Sequence, residues 1–323
     1  MHGRGRPWSG EDAMKWFVRV LAVTVMGLAA PTAFGERTAG EKAKAEKALA
    51  KATTDDTGFE KVPTPGPADW LANHKEPGQT FEEYVRSKPL RPTKPRLAIV
   101  LQPLGGFSKE EKKVLAKAAE YAHIFFQLEV RTEGETALPM EKGMWRINKQ
   151  TRREQYLTGY LMYKVLQPRV PKDAFAYMGV TMGDLYPAES WNYVFGEGSF
   201  KDRVGVYSFV RYTSEFWGEK ATAETEALLV KRTCKIITHE AGHMFGLAHC
   251  VYYRCLMNGS NHLAEMDGQP MFLCPVCLKK LQWNIGFDVA KRYEEMGKFF
   301  ATNGMKEEGE WVGKRMETLG LRP

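Results

Sequence analysis

The sequence predicts an α+β fold, on three observations. Apolar runs of strand length alternate with helical periodicity from Arg96 to Tyr212. A long amphipathic segment, Glu224–Phe245, then reads as a helix ended at Gly246. Beyond it lie a cysteine-rich irregular stretch and terminal helices. At 323 residues, 43% hydrophobic and 26% charged, the composition is that of a globular protein. The length suits two domains or one with extensions, and no internal repeat is visible.

Residues 1–35 have the parts of a secretory leader. Met14 is an alternative start, followed by Lys15 and Arg19, an apolar run from Val20 to Ala30, and small residues at Ala33 and Gly35. This predicts cleavage after Gly35 and export to the periplasm or outside the cell. The competing reading is a buried or membrane-surface amphipathic helix, with the cytoplasm as the alternative location. The run is too short to span a bilayer, so the mature chain is expected to cross none. Residues 36–65 are rich in Ala, Lys, Glu and Thr, with Pro63 and Pro65 at their end, and read as a solvated linker.

Globular sequence starts near Trp70. Arg96–Pro103 is an apolar run bounded by Pro95 and Gly105, as in a buried strand. Ser108 and Glu111 form a capping box opening a helix to about Phe125. Phe126–Thr132 alternates and reads as a strand, and Arg152–Leu166 has helical periodicity. Ala174–Thr181 and Gly205–Tyr212 read as two more strands.

The net charge of +7 is thinly spread, with nine Lys/Arg against eight Asp/Glu in residues 1–60. Around the later cysteines only Arg254, Lys279 and Lys280 are basic, so a nucleic-acid-binding zinc ribbon is excluded. The chain has no GxSxG, P-loop or GxGxxG motif, leaving serine-hydrolase and nucleotide readings without support.

Chemistry concentrates in His239-Glu240-Ala-Gly-His243-Met-Phe-Gly246-Leu-Ala-His249, where three of the seven histidines fall within 11 residues. On a helix His239 and His243 share a face and can bind one metal ion. Glu240 is rotated by about 100° and can lie beside the metal rather than ligate it. Gly246 lets the chain turn back and present His249 as third ligand. Three ligands leave a position for water, the arrangement of catalytic zinc. The pattern arises by chance in about one such chain in 40,000. The string resembles the metzincin signature, which implies a Met-turn beneath the imidazoles, and Met257, eight residues past His249, is the candidate for it.

Cys250-x4-Cys255 and Cys274-x2-Cys277 lie 18 residues apart and match a four-thiolate zinc site, with two disulfides as the alternative. Cys250 directly follows His249, so one segment would serve both metals. Cys234 points away from His239 and reads as a buried small apolar residue. His74, His123 and His262 have no partner at ligand spacing, Tyr252 and Tyr253 read as packing, and Asp184 as a turn or cap residue.

The joint pattern HExxHxxGxxHC-x4-C-x-M…C-x2-C, running from His239 to Cys277, resembles that of the archaemetzincins, a family of zinc metallopeptidases in the metzincin clan. Asp173–Gly196, Gly259–Leu263 and Leu273–Leu278 are similar too. The resemblance spans about residues 68–300, placing the metallopeptidase domain at 66–300 and a helical tail at 301–323. It implies a zincin-like twisted mixed sheet with an active-site helix and a four-cysteine zinc subdomain near the C-terminus. It implies two zincs: a catalytic one on His239, His243 and His249, with Glu240 as general base, and a structural one on Cys250, Cys255, Cys274 and Cys277. An edge strand would border the cleft and pair with peptide substrate, for which Gly205–Phe209 is the candidate. A leader departs from a family usually intracellular. A monomer acting on peptides is expected. The competing function is an inactive, zinc-stabilised binding module, against which the intact Glu240 speaks.

Overall fold

The computed structural model describes residues 39–138 and 140–321; the leader lies outside them. A five-stranded sheet, in the spatial order Val130–Thr132, Ala98–Leu104, Ala174–Thr181, Val204–Ser208 and Gly196–Ser199, forms its centre. In chain order, helices α1 (Ala39–Ala52), α2 (Trp70–Asn73) and α3 (Phe81–Arg86) come first. Then follow β1 (Ala98–Leu104), α4 (Lys109–Phe126), β2 (Val130–Thr132), β3 (Trp145–Ile147), β4 (Glu154–Leu157) and α5 (Thr158–Tyr160). A π-helical turn continues α5 through Leu161–Leu166. Next come β5 (Ala174–Thr181), β6 (Asp184–Tyr186), β7 (Gly196–Ser199), β8 (Val204–Ser208) and α6 (Ala223–Met244). Helices α7 (Leu263–Gly268), α8 (Pro275–Ile285), α9 (Val289–Thr302) and α10 (Lys306–Thr318) complete the described chain.

β2, β1, β5 and β8 run parallel, and β7 is antiparallel to β8. β3, β4 and β6 make a second, three-stranded sheet. β1 is buried along its whole length because both faces of the sheet are covered. Ile99 and Leu101 join the core shared with α4, α6 and α9, whereas Ala98 and Val100 pack under Leu161–Leu166.

The α+β class and the expected β1, α4, β5 and α6 are present, α4 with its Ser108–Glu111 box. Four expectations are corrected. Helix α4 runs to Phe126, so β2 begins only at Val130. The Arg152–Leu166 segment opens as strand β4, because Tyr156 is needed under the sheet before the helical turns start. Gly205–Phe209 is not an edge: β8 lies between β5 and β7, and the edge is Gly196–Ser199. The 36–65 stretch is no free linker where it is described. Ala48 and Ala52 of α1 are buried, and Arg315 of α10 holds the Asp55 carboxylate at 2.9 Å.

Among the described residues no helix is long and apolar enough to cross a membrane.

Candidate active site

Helix α6 is opened by a capping box between Thr222 and Thr225 and closes at Phe245, after which Gly246 takes φ +85°. His239 and His243 project from its last turns, with ring centroids 4.6 Å apart. The reversal at Gly246 brings His249 back, its ring centroid 5.4 Å from His239 and 4.9 Å from His243. One ring nitrogen from each lies within 4.8 Å of the others.

Each Nδ1 is already engaged. That of His239 faces the carbonyl of Leu256 at 2.8 Å, and that of His243 the carbonyl of Leu247 at 2.6 Å. That of His249 faces Glu76 Oε1 at 2.8 Å. A carbonyl accepts only, so these bonds place the protons on Nδ1 of His239 and His243 and leave their Nε2 lone pairs inward. The Nε2 atoms of His239 and His243 are 3.0 Å apart, close to the roughly 3.3 Å that two tetrahedral zinc–nitrogen bonds of about 2.0 Å produce. Burial, with His249 alongside, pulls the His239 imidazole down to about 3, and His243 is held well below its ordinary value for the same reasons. Neutral imidazoles with converging lone pairs are the donor set a divalent cation fits.

Glu240 follows His239 on the helix, its carboxyl pushed up to about 8 by burial. A cation beside it would act in the opposite sense. The buried hydroxyls of Tyr207 and Tyr212 lie within electrostatic reach of that carboxylate. Met257 is fully buried, and its Sδ would sit 2.7 Å from a Cβ on Gly242, the helix position just before His243. Exposed Phe200, immediately after the edge strand β7, stands 5.5 Å from His243. The end of edge strand β7 therefore lies beside His243.

The four cysteines lie together as expected, all buried and none in a disulfide. Their sulfurs fall within 4.8 Å of one another, Cys250 and Cys274 being 3.6 Å apart. Tetrahedral coordination with zinc–sulfur bonds of about 2.3 Å spaces sulfurs by roughly 3.8 Å, so the cluster fits zinc. Thiol donors Cys255, Cys274 and Cys277 drive the Cys250 thiol far down, whereas burial pushes Cys255 up. Such a cluster tolerates little negative charge without a cation.

Other sequence candidates fall outside the site. Cys234 is fully buried, and its thiol is pushed up by burial. Tyr253 bonds Asp56 under the Lys61 ammonium, and Tyr252 lies against Gly78. Asp184 is not a cap but half of a buried ion pair with Arg211, at 2.7 Å. His262 caps α7 and meets Asp69, His74 stacks on Trp70, and His123 bonds the Leu128 carbonyl. Arg254 pairs with Glu60, Lys279 lies over the Phe81 ring and Lys280 is buried. They make no phosphate-binding patch. Sequence reasoning missed Glu76, Trp70, Gln79 and Phe200, which lie far along the chain from the histidine motif and carry no motif of their own.

The model of peptidase family M54 matches residues 133–283. Archaemetzincin-2 of Rattus norvegicus is 34% identical over 280 residues, covering 78% of this chain and 77% of that protein. Archaemetzincin-2 of Homo sapiens is 36% identical, covering 71% of each chain. The solved archaemetzincin of Methanopyrus kandleri is 26% identical, with 61% of this chain and 100% of that one covered at a TM-score of 0.47. On the extent and identity of the match to the mammalian relatives, the chain belongs to the archaemetzincins, peptidase family M54, and is a zinc metallopeptidase.

Proposed function

We propose that the chain hydrolyses peptide bonds at a zinc held by His239, His243 and His249, with Glu240 as general base. A second, structural zinc is held by Cys250, Cys255, Cys274 and Cys277. The observation that carries this reading is the convergence of three imidazoles, two of them with Nδ1 committed to carbonyls, on a helix where Glu240 directly follows His239. Zinc, when bound there, supplies Lewis-acid polarisation and lowers the pKa of water. Glu240 takes the proton from the attacking water and returns it to the leaving amine. Strand β7 offers its free edge to an extended peptide, and Phe200 supplies an apolar wall beside His243. The buried thiolate cluster holds the segment that starts at Cys250, and so fixes where His249 begins.

The test is Glu240→Gln. It should keep both zincs by elemental analysis and lose cleavage of a quenched peptide library by orders of magnitude. Cleavage at the wild-type rate would rule out the general base, and a single zinc per chain would rule out the metal assignment. The apolar leader of residues 20–30 supports export, checked by N-terminal sequencing of the protein recovered from its native compartment; a chain retaining residues 1–35 would contradict it.

A further inference from the structure

We propose that Glu76, carried by an N-terminal strap, is the positioning residue for His249. The proposal rests on the zinc reading above. His239 and His243 are fixed by α6, but His249 lies beyond Gly246 on irregular backbone and needs another support. The strap supplies it. Gln79 donates to the Gly246 carbonyl and accepts from the Ala248 amide, each at 3.2 Å. Tyr84 donates to the Phe245 carbonyl at 2.7 Å, and Pro89 lies against Gly246. Held in this register, Glu76 Oε1 meets His249 Nδ1 at 2.8 Å. On the same side Trp70 sets its ring edge-on to His249 at 5.0 Å. The other carboxylate oxygen of Glu76 and the Trp70 indole N–H are both buried, and against that burial Trp70 joins His249 in holding the Glu76 carboxyl below its usual range, so the pocket is built around this carboxylate.

The chemistry differs from that at the other two histidines. Their partners are backbone carbonyls, whereas His249 faces a full negative charge. A carboxylate on Nδ1 raises the basicity of Nε2 and fixes the ring. Three neutral imidazoles bring no charge to a divalent cation. Glu240 and Glu76 together would bring two negative charges.

The experiment follows zinc release from the purified full chain to the chromogenic chelator 4-(2-pyridylazo)resorcinol. The phase abolished by His243→Ala reports the histidine site. Glu76→Ala should speed that phase by about 10–100-fold and leave the cysteine-site phase unchanged. Glu76→Gln keeps shape and an acceptor oxygen but not charge, and should speed it by less. Gln79→Ala removes two hydrogen bonds of the strap but keeps the Glu76 carboxylate, and should speed it by less than Glu76→Ala. The proposal is overturned if both Glu76 variants release zinc as slowly as wild type, or if Gln79→Ala accelerates release as much as Glu76→Ala. A wild-type chain with no histidine-site phase would instead overturn the zinc reading itself.

Discussion

Gly246 takes φ +85° at the point where the helix bearing two histidines turns back to present the third. A side chain there meets two obstacles. Left-handed backbone costs an L-residue about 1–2 kcal/mol, and a Cβ would stand 2.6 Å from that of Pro89. Overpacking of this kind adds about 1–3 kcal/mol. Gly246→Ala should therefore lose roughly 2–5 kcal/mol in urea unfolding, and displacement of the strap from His249 should slow hydrolysis as well. Stability within about 0.5 kcal/mol of wild type would mean that Pro89 gives way freely. Gly242 is constrained differently. Its backbone is helical, but Met257 fills the space its side chain would take. The offsets of Met257 and Gly246 from the histidines were legible because each acts within a few turns of the motif. The reasons for glycine at 242, and for Pro89 at 246, were not, because contact across the fold supplies them.

The elements show the same division between local and distant causes. β1 and β5 were legible as strands because both faces of each are buried, which writes a continuous apolar run into the sequence. β7 was not, because it reads Gly-Glu-Gly-Ser and has no strand composition. Its glycines serve a neighbour: a Cβ at Gly196 would lie 2.2 Å from the Tyr207 ring, and one at Gly198 would lie 2.7 Å from its hydroxyl. β8 carries the apolar signal and so drew the edge assignment that belongs to β7. The smaller sheet is tied down by charge. Asp184 of β6 binds Arg211 through both oxygens at 2.7 Å and accepts from Gln155 of β4, while Arg211 stacks on Tyr193. Asp184 and Arg211 are 2% and 4% exposed, so water cannot compensate a lost partner. Asp184→Asn should cost about 3–5 kcal/mol in urea unfolding, because it strands a buried guanidinium. A loss under 1 kcal/mol would show that the guanidinium finds another acceptor.

Across the whole molecule, the N-terminal segments close onto the C-terminal half. Phe59 packs edge-on to Trp311 and Phe272, and Arg315 donates to carbonyls of Ala52 and Asp55. Few apolar anchors do this, so a composition of Ala, Lys and Glu reads as linker even though it is docked. Lys235 of α6 is buried as well, its ammonium donating to the carbonyls of Met266 and Asp267 at 2.9 Å each. Burial, with Lys231 and Arg232 adding repulsion, pulls its pKa from 10.5 down to about 7, against the opposing attraction of Asp267 and Glu308. Below pH 7 the folded and unfolded chains both hold the proton, and the cost of burying the charge is present in full. Between about 7 and 10.5 the unfolded chain binds more protons than the folded one, so stability rises with pH through that window. Lys235→Met removes the titration but also strands two carbonyls, an offset that does not depend on pH. The informative quantity is therefore the slope. The melting temperature of wild type minus that of Lys235→Met should climb as pH is raised from 7 toward 10, and a flat or falling difference would mean that Lys235 stays charged in the folded protein.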